Sequence, residues 1–307
     1  MSRLDPQKAL ITGSVPALPP ADAHHLNRQG ILWMVLAMSA FMANDALVKA
    51  VGARVPAAQL IVVRGVVAIT LICLVAWHMG VLGQARSLLR RGVLVRAVCE
   101  GLGTFMYLAA LFHMPLANVT AINLSAPLFV ALLARLVLGE AVHLGRWLAI
   151  GLGFMGVLLV VRPQPGDFNL YAWLAVLATL VYSVRDLLTR RLPPALPSIL
   201  VTLATAGTVW LMACAVLAVQ GLVPMAWHDV GLLALASVFL STGYFAIIAA
   251  TRHAELSVVA PFRYVGLLWA LVLGWVFWGD VPDFWAWAGM VCLVVAGLAM
   301  VWQQRRR

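Results

Sequence analysis

Apolar runs about 20 residues long, separated by short polar breaks, repeat along nearly the whole chain. Crossing the hydrocarbon core as a helix takes roughly 20 residues, so each run is read as a membrane span. Ten are predicted, at about 30–51, 58–78, 93–113, 117–138, 146–162, 169–190, 198–219, 229–252, 256–278 and 284–302. The runs are not evenly apolar. In span 3, Arg96, Glu100, Gly103 and Tyr107 recur at helical spacing and share one face. Thr179, Tyr182, Ser183, Asp186 and Arg190 do the same in span 6, Thr120, Asn123 and Pro127 in span 4, and Ser237, Ser241 and Tyr244 in span 8. Helices that each hide one polar stripe can share a central wet cavity. Spans 5 and 10 carry no ionisable residue between their ends and are rich in small ones, Gly151, Gly153 and Gly156 in one, Ala288, Gly289, Ala296 and Gly297 in the other. Small residues let backbones approach closely, so these two are read as scaffold, and as the surface through which a homodimer would form.

A gapless shift of 140 positions lays the first half on the second. His113 meets His253, Ala117 meets Ser257, Asn123 meets Arg263, Gly139-Glu140 meets Gly279-Asp280, and Trp147 meets Trp287. The shared order at one offset points to an internal duplication. Five spans per copy is odd, so the second copy enters the membrane inverted, as in many secondary transporters. The expected fold is an all-α membrane protein, with ten transmembrane helices in two inverted five-helix repeats around a central cavity. The repeats are placed at 29–163 and 164–302. Residues 1–28, with Pro6, Pro16, Pro19 and Pro20 and no apolar core of a signal peptide, read as a disordered cytoplasmic tail. Residues 303–307 read as a basic cytoplasmic tail.

Composition agrees. The chain is 64% hydrophobic and 10% charged, against roughly 45–50% and 25% in soluble domains. The net charge of +10 does not mark a nucleic-acid partner, because the basic residues lie mostly in connections between spans. Thirteen lysines and arginines fall on one side of the expected topology, and only Arg54 and Arg162 on the other. The positive-inside rule then places both termini in the cytoplasm of a bacterial inner membrane. Cys73, Cys99, Cys214 and Cys292 are widely separated within apolar spans and read as small buried residues. No HExxH, GxSxG or metal-ligand spacing occurs, so no cofactor, metal or catalytic residue is expected, and an intramembrane enzyme is the poorest alternative.

An ionisable side chain near mid-bilayer costs at least ~2.5–3.5 kcal/mol, so each one needs a reason. At about 1.5 Å per residue, Asp45, Arg64, Glu100 and Arg263 lie roughly 9–10 Å inside their spans. Lys49, Arg96, Arg135 and Arg185 are shallower and within snorkelling reach of the interface. Matching depths pair Asp45 with Arg64 near the outer face and Asp186 with Arg263 near the inner face. These pairs are either two alternately closing gates or static pairs that neutralise burial. Glu100 either pairs with Arg96, one turn away, or couples transport to protons. Pro127 and Pro261 each remove a backbone donor, which frees the carbonyls of Asn123 and Ser257 for solute or water. Trp269, Trp275, Trp278, Trp285 and Trp287 read as an interfacial aromatic belt.

Ten spans in two repeats, with Asn123 and Pro127 ahead of Gly139-Glu140, and Pro261 ahead of Gly279-Asp280, resemble the EamA family of the drug/metabolite transporter superfamily. The resemblance implies a helical basket in which spans 1, 3, 4, 6, 8 and 9 wall a central site, and members that export amino acids and related metabolites. The intramembrane charges favour a zwitterionic or carboxylate-bearing solute moved by alternating access. Arg64, Arg96 and Arg263 would grip carboxylate, because a guanidinium holds it with two parallel hydrogen bonds. Glu100 and Asp186 would receive an amine, and Asn123, Tyr107, Tyr182 and Tyr244 would orient the solute. A flippase for a lipid or lipid carrier is the alternative on the same fold.

Overall fold

In the computed structural model, residues 20–81, 83, 88–138, 144–161, 169–193, 196–253 and 256–305 are described, and among them all regular structure is helical. Among the described residues, nine helices are long and apolar enough to cross a membrane, and a shorter apolar helix, Trp147–Val161, occupies the place of span 5. Spans 1 to 3 are Pro20–Gly52, Ala57–His78 and Arg91–His113, and spans 5 to 8 are Leu144–Val161, Leu170–Arg190, Ser198–Gln220 and Trp227–His253. Span 10 is Phe284–Arg305. Span 1 begins earlier than expected. Its helix starts at Pro20, so residues 20–28 are helical rather than disordered, with a proline where its missing N–H is harmless. Residues 1–19 lie outside the described residues.

Spans 4 and 9 are broken where their prolines fall. Span 4 runs as Leu116–Asn123 and Ala126–Leu138. At the break, Ser125 donates to the Ile122 carbonyl through both its amide and its Oγ, and Ser183 Oγ lies 3.2 Å from the Ala126 carbonyl. Span 9 runs as Leu256–Val259, a 3-10 turn over Ala260–Tyr264, and Val265–Trp278. Proline lacks the N–H that an α-turn needs there, and the chain tightens instead. Span 9 ends at Gly279, whose φ of 69° suits a residue without Cβ. The amides of Gly279 and Asp280 turn back to the carbonyls of Trp275 and Gly274, which fixes where the Asp280 carboxylate points. Gly139 and Glu140, expected to answer this pair, lie outside the described residues.

The helix pairings repeat when the halves are exchanged. Span 1 packs on span 8 as span 6 packs on span 3, span 3 on span 7 as span 8 on span 2, and span 6 on span 4 as span 1 on span 9. Spans 2 and 7, and spans 5 and 10, pair with each other. Detail follows the same exchange. The ring of Tyr182 fills the space that a Cβ on Gly103 would take, and the ring of Phe41 does so at Gly243. This is the signature of two inverted five-span repeats. Spans 5 and 10 meet so closely that a Cβ on Gly156 would come within 2.7 Å of the Gly289 carbonyl. Of the small residues on which the homodimer expectation rested, Gly156 and Gly289 meet each other, Gly153 meets Leu128 and Gly297 meets Tyr264, while Gly151 has nothing within 4 Å of an added Cβ.

Candidate functional site

Ten crossings put residues near 28, 190, 253 and 305 on one side, here the terminal side. Arg135 is exposed in the last turn of span 4, but most of the intramembrane charges converge between spans 1, 2, 3, 6, 8 and 9. Arg185 is the centre of the cluster. Its guanidinium donates to Glu100 Oε2 at 2.6 Å and to Asp186 Oδ1 at 2.6 and 2.9 Å, and it lies 5.0 Å from the Tyr182 ring. Snorkelling was the sequence expectation for Arg185, but two carboxylates facing inward hold it in place. Glu100 therefore pairs with Arg185 rather than with Arg96. Arg96 donates instead to the hydroxyls of Thr189 at 2.7 Å and Thr205 at 2.5 Å.

Deeper, away from the terminal side, Asp45 accepts from the Tyr107 hydroxyl at 2.7 Å and from the Asn44 amide at 2.8 Å. Arg64 donates to Asn44 Oδ1 at 3.3 Å, so an amide stands between it and Asp45 where a direct ion pair was expected. Asp186 and Arg263 are within electrostatic reach but out of contact, and so are not a closed pair here. Tyr244 is within the same reach of Glu100, Arg185, Arg64 and Arg96, which places it among them. Its ring meets Phe41 edge-on at 5.3 Å, and the Tyr107 and Tyr182 rings lie 6.4 Å apart. The hydroxyl of Tyr182 faces Thr104 Oγ1 at 3.4 Å. Asn123 closes the first half of span 4 at its break and is half-buried. The serine and threonine stripes contribute less than expected: Thr179, Ser183, Ser237 and Ser241 each donate to a carbonyl four residues back in their own helix.

Accessibility falls with depth. Arg263 is exposed, and Tyr244 and Asp186 keep 49% and 45% of their surface, whereas Tyr107 keeps 8% and Asn44 3%. Charged and polar groups that keep accessible surface among apolar helices form a polar recess, whose more accessible members, Arg263, Tyr244 and Asp186, lie toward the terminal side. Its far end is tied shut. Lys49 was expected to snorkel, but its Nζ donates to the Met114 carbonyl, lies 3.7 Å from Asp280 Oδ2 and stands 5.1 Å from the centre of the Trp278 ring. Trp278 thus leaves the aromatic belt for this latch, while Trp269, Trp275, Trp285 and Trp287 stay exposed. Arg54 pairs with Asp229 at 2.5 Å, Gln59 exchanges two hydrogen bonds with the backbone of Val223, and His113 stacks on Tyr171 at 3.9 Å.

Four guanidiniums, from Arg64, Arg96, Arg185 and Arg263, face three carboxylates, from Asp45, Glu100 and Asp186. Arg263 alone of these has no hydrogen bond or ion pair among the described residues. Among those residues, too, no three of His, Cys, Asp and Glu gather into a metal site. Lys49 and Arg185 are the participants that sequence reasoning missed. Both were visible as i+4 and i−1 neighbours of Asp45 and Asp186, but only the fold supplies Asp280, Met114 and Glu100 as partners.

The profile of the EamA-like transporter family matches residues 28–162 and again residues 169–303. The pseudopaline exporter CntI of Pseudomonas aeruginosa is 30% identical over 279 residues, 90% of this chain and 96% of its own. A riboflavin transporter of Rhizobium johnstonii is 29% identical over 220 residues, 70% of this chain and 71% of its own. An S-adenosylmethionine uptake transporter of Rickettsia felis is 24% identical over 282 residues, 90% and 94%. One solved structure superposes with a TM-score of 0.60 and 17% identity over 90% of this chain and 98% of that one, a likeness of fold alone.

Proposed function

The chain belongs to the EamA-like transporter family, and we propose that it carries a small metabolite bearing both carboxylate and amine, an amino acid or derivative, across a bacterial inner membrane by alternating access. Export is the proposed direction, with both termini cytoplasmic and the terminal-side cavity facing the cytoplasm. Relatives named for an exporter and for uptake share this fold, so direction and solute must come from the site.

The observation that carries the reading is Arg263. A guanidinium accessible within the membrane, with no partner among the described residues, is a costly arrangement unless a ligand completes it. A carboxylate does so with two parallel charge-assisted bonds. Across the cavity, Arg185 engages only one oxygen of Asp186, which leaves the other to receive an amine. Arg64 and Arg96 add positive field, and the excess of one guanidinium over the carboxylates favours a solute with more carboxylate than amine. Tyr182, beside Arg185, and Tyr244, within reach of Arg64, Arg96 and Arg185, would orient the solute together with Asn123.

The test is a thermal-shift screen of the purified protein against amino acids, peptides, opine-like multi-carboxylates, quaternary amines and lipids, on wild type and on Arg263→Ala. A ligand that binds the folded state raises its midpoint with concentration. A carboxylate-bearing solute should stabilise wild type and not the variant. If only cations or lipids shift wild type, the assignment falls, and a lipid response would favour a flippase.

A further inference from the structure

Among the described residues, each other acidic side chain that faces an interior or latch contact has a cation beside it: Glu100 and Asp186 have Arg185, Asp229 has Arg54, and Asp280 has Lys49. Asp45 differs. Its two hydrogen bonds come from neutral groups, the Tyr107 hydroxyl and the Asn44 amide, and the guanidinium of Arg64 is spent on the far side of that amide. It sits at the closed end of the cavity, seven residues from the end of span 1. The charged and titratable groups facing this place are Arg64 from span 2, Tyr107 from span 3 and, beyond Arg64, Tyr182 from span 6 and Tyr244 from span 8.

We propose that Asp45 is a proton-binding site, and that its protonation is linked to the side of the membrane from which the cavity is entered. This rests on the transporter reading above but not on the carboxylate assignment. The proton comes from the transmembrane proton gradient: the carboxylate becomes a carboxylic acid on one side and releases the same proton on the other, with no electron transfer. The surroundings suit both states. Tyr107 donates to the carboxylate, and its hydroxyl oxygen can accept from the acid. The local charge changes from a balanced Asp45 and Arg64 to one uncompensated guanidinium, a change large enough to bias the tie of span 1 at Lys49, one helical turn away. Glu100, the coupling candidate from sequence, is held by Arg185 at 2.6 Å and lacks this freedom.

Two substrate-free measurements test the proposal on the full chain. The first is infrared difference spectroscopy of reconstituted protein as pH is lowered. A protonated-carboxyl stretch should appear in wild type, shift in frequency in Tyr107→Phe, persist in Glu100→Gln, where Arg185 keeps Asp186, and vanish in Asp45→Asn. The second follows labelling of a Tyr244→Cys reporter, in a background lacking the four native cysteines, by an impermeant maleimide from the non-terminal side, taken as a ratio to labelling from the terminal side at the same pH so that the thiolate fraction cancels. The ratio should change several-fold with pH and lose that dependence in Asp45→Asn. Persistence of the carboxyl band in Asp45→Asn overturns the site. Persistence of the pH-dependent labelling overturns its linkage to access. A failed ligand screen leaves both measurements standing, so the two readings fail separately.

Discussion

Two arginines in the same cavity have opposite tasks, and substitution should separate them. Arg185 holds two carboxylates, and removing it leaves Glu100, 15% accessible, without its cation. Breaking a buried pair from one side is strongly destabilising, so Arg185→Ala should lose up to ~3 kcal/mol and melt earlier whatever ligand is present. Arg263 makes no hydrogen bond or ion pair among the described residues, only a longer-range attraction to Asp186. Arg263→Ala should keep the wild-type midpoint without ligand, yet bind a carboxylate-bearing solute about ten- to a hundredfold more weakly, as expected for a lost charge-assisted bond of ~1.5–3 kcal/mol. Melting curves with and without solute, on both variants, check the contrast. Arg263→Lys should recover part of the binding, since a point charge attracts a carboxylate without matching its two oxygens.

At the scale of helices, the contact between spans 5 and 10 is the tightest. Gly156→Leu or Gly289→Leu drives side-chain atoms into the facing backbone, where a Cβ alone would sit 2.6–2.7 Å from a carbonyl oxygen. Overpacking of this kind costs about 1–3 kcal/mol, read as a lower midpoint in detergent. Gly151→Ala, with nothing within 4 Å of its added Cβ, should be neutral or mildly stabilising. Helix number, order and inversion were legible in the chain because a bilayer demands apolar length, and because five spans per repeat dictates the inversion. The broken spans were legible too, since Pro127 and Pro261 act locally. Partners were not. Depth along separate helices aligned Asp45 with Arg64, but rotation about each axis decided that Asn44 comes between them. Spacing likewise put Thr179 and Ser237 on polar faces, yet their hydroxyls are satisfied by their own helices, a competition that spacing cannot reveal. The place of Lys49 depended on the loop that carries Met114 and the glycine turn that aims Asp280.

For the whole molecule, the latch at the far end of the cavity predicts which side admits a reagent. In the Tyr244→Cys reporter, an impermeant maleimide should react from the terminal side and poorly from the other. Lys49→Ala, which removes the contacts with Met114, Asp280 and Trp278 together, should raise labelling from the non-terminal side several-fold. Asp280→Asn, which leaves the Met114 bond, should raise it less. Equal labelling in all three proteins would mean that the cavity is not closed by this contact.

The exchange of partners between halves also bears on how the chain is made. Spans 1, 2, 3 and 5 each find their largest contact on a span of the second half. The ribosome therefore delivers five spans whose polar stripes and small-residue faces stay without their main partners until the remainder has been inserted. Neither half is an assembly intermediate of the domain-by-domain kind. Residues 1–165 and 166–307, expressed as separate chains, should each be degraded when made alone and accumulate as a complex when made together. What the membrane receives first is half of an interlocked pair, and the first half must be kept from other partners until its counterpart arrives.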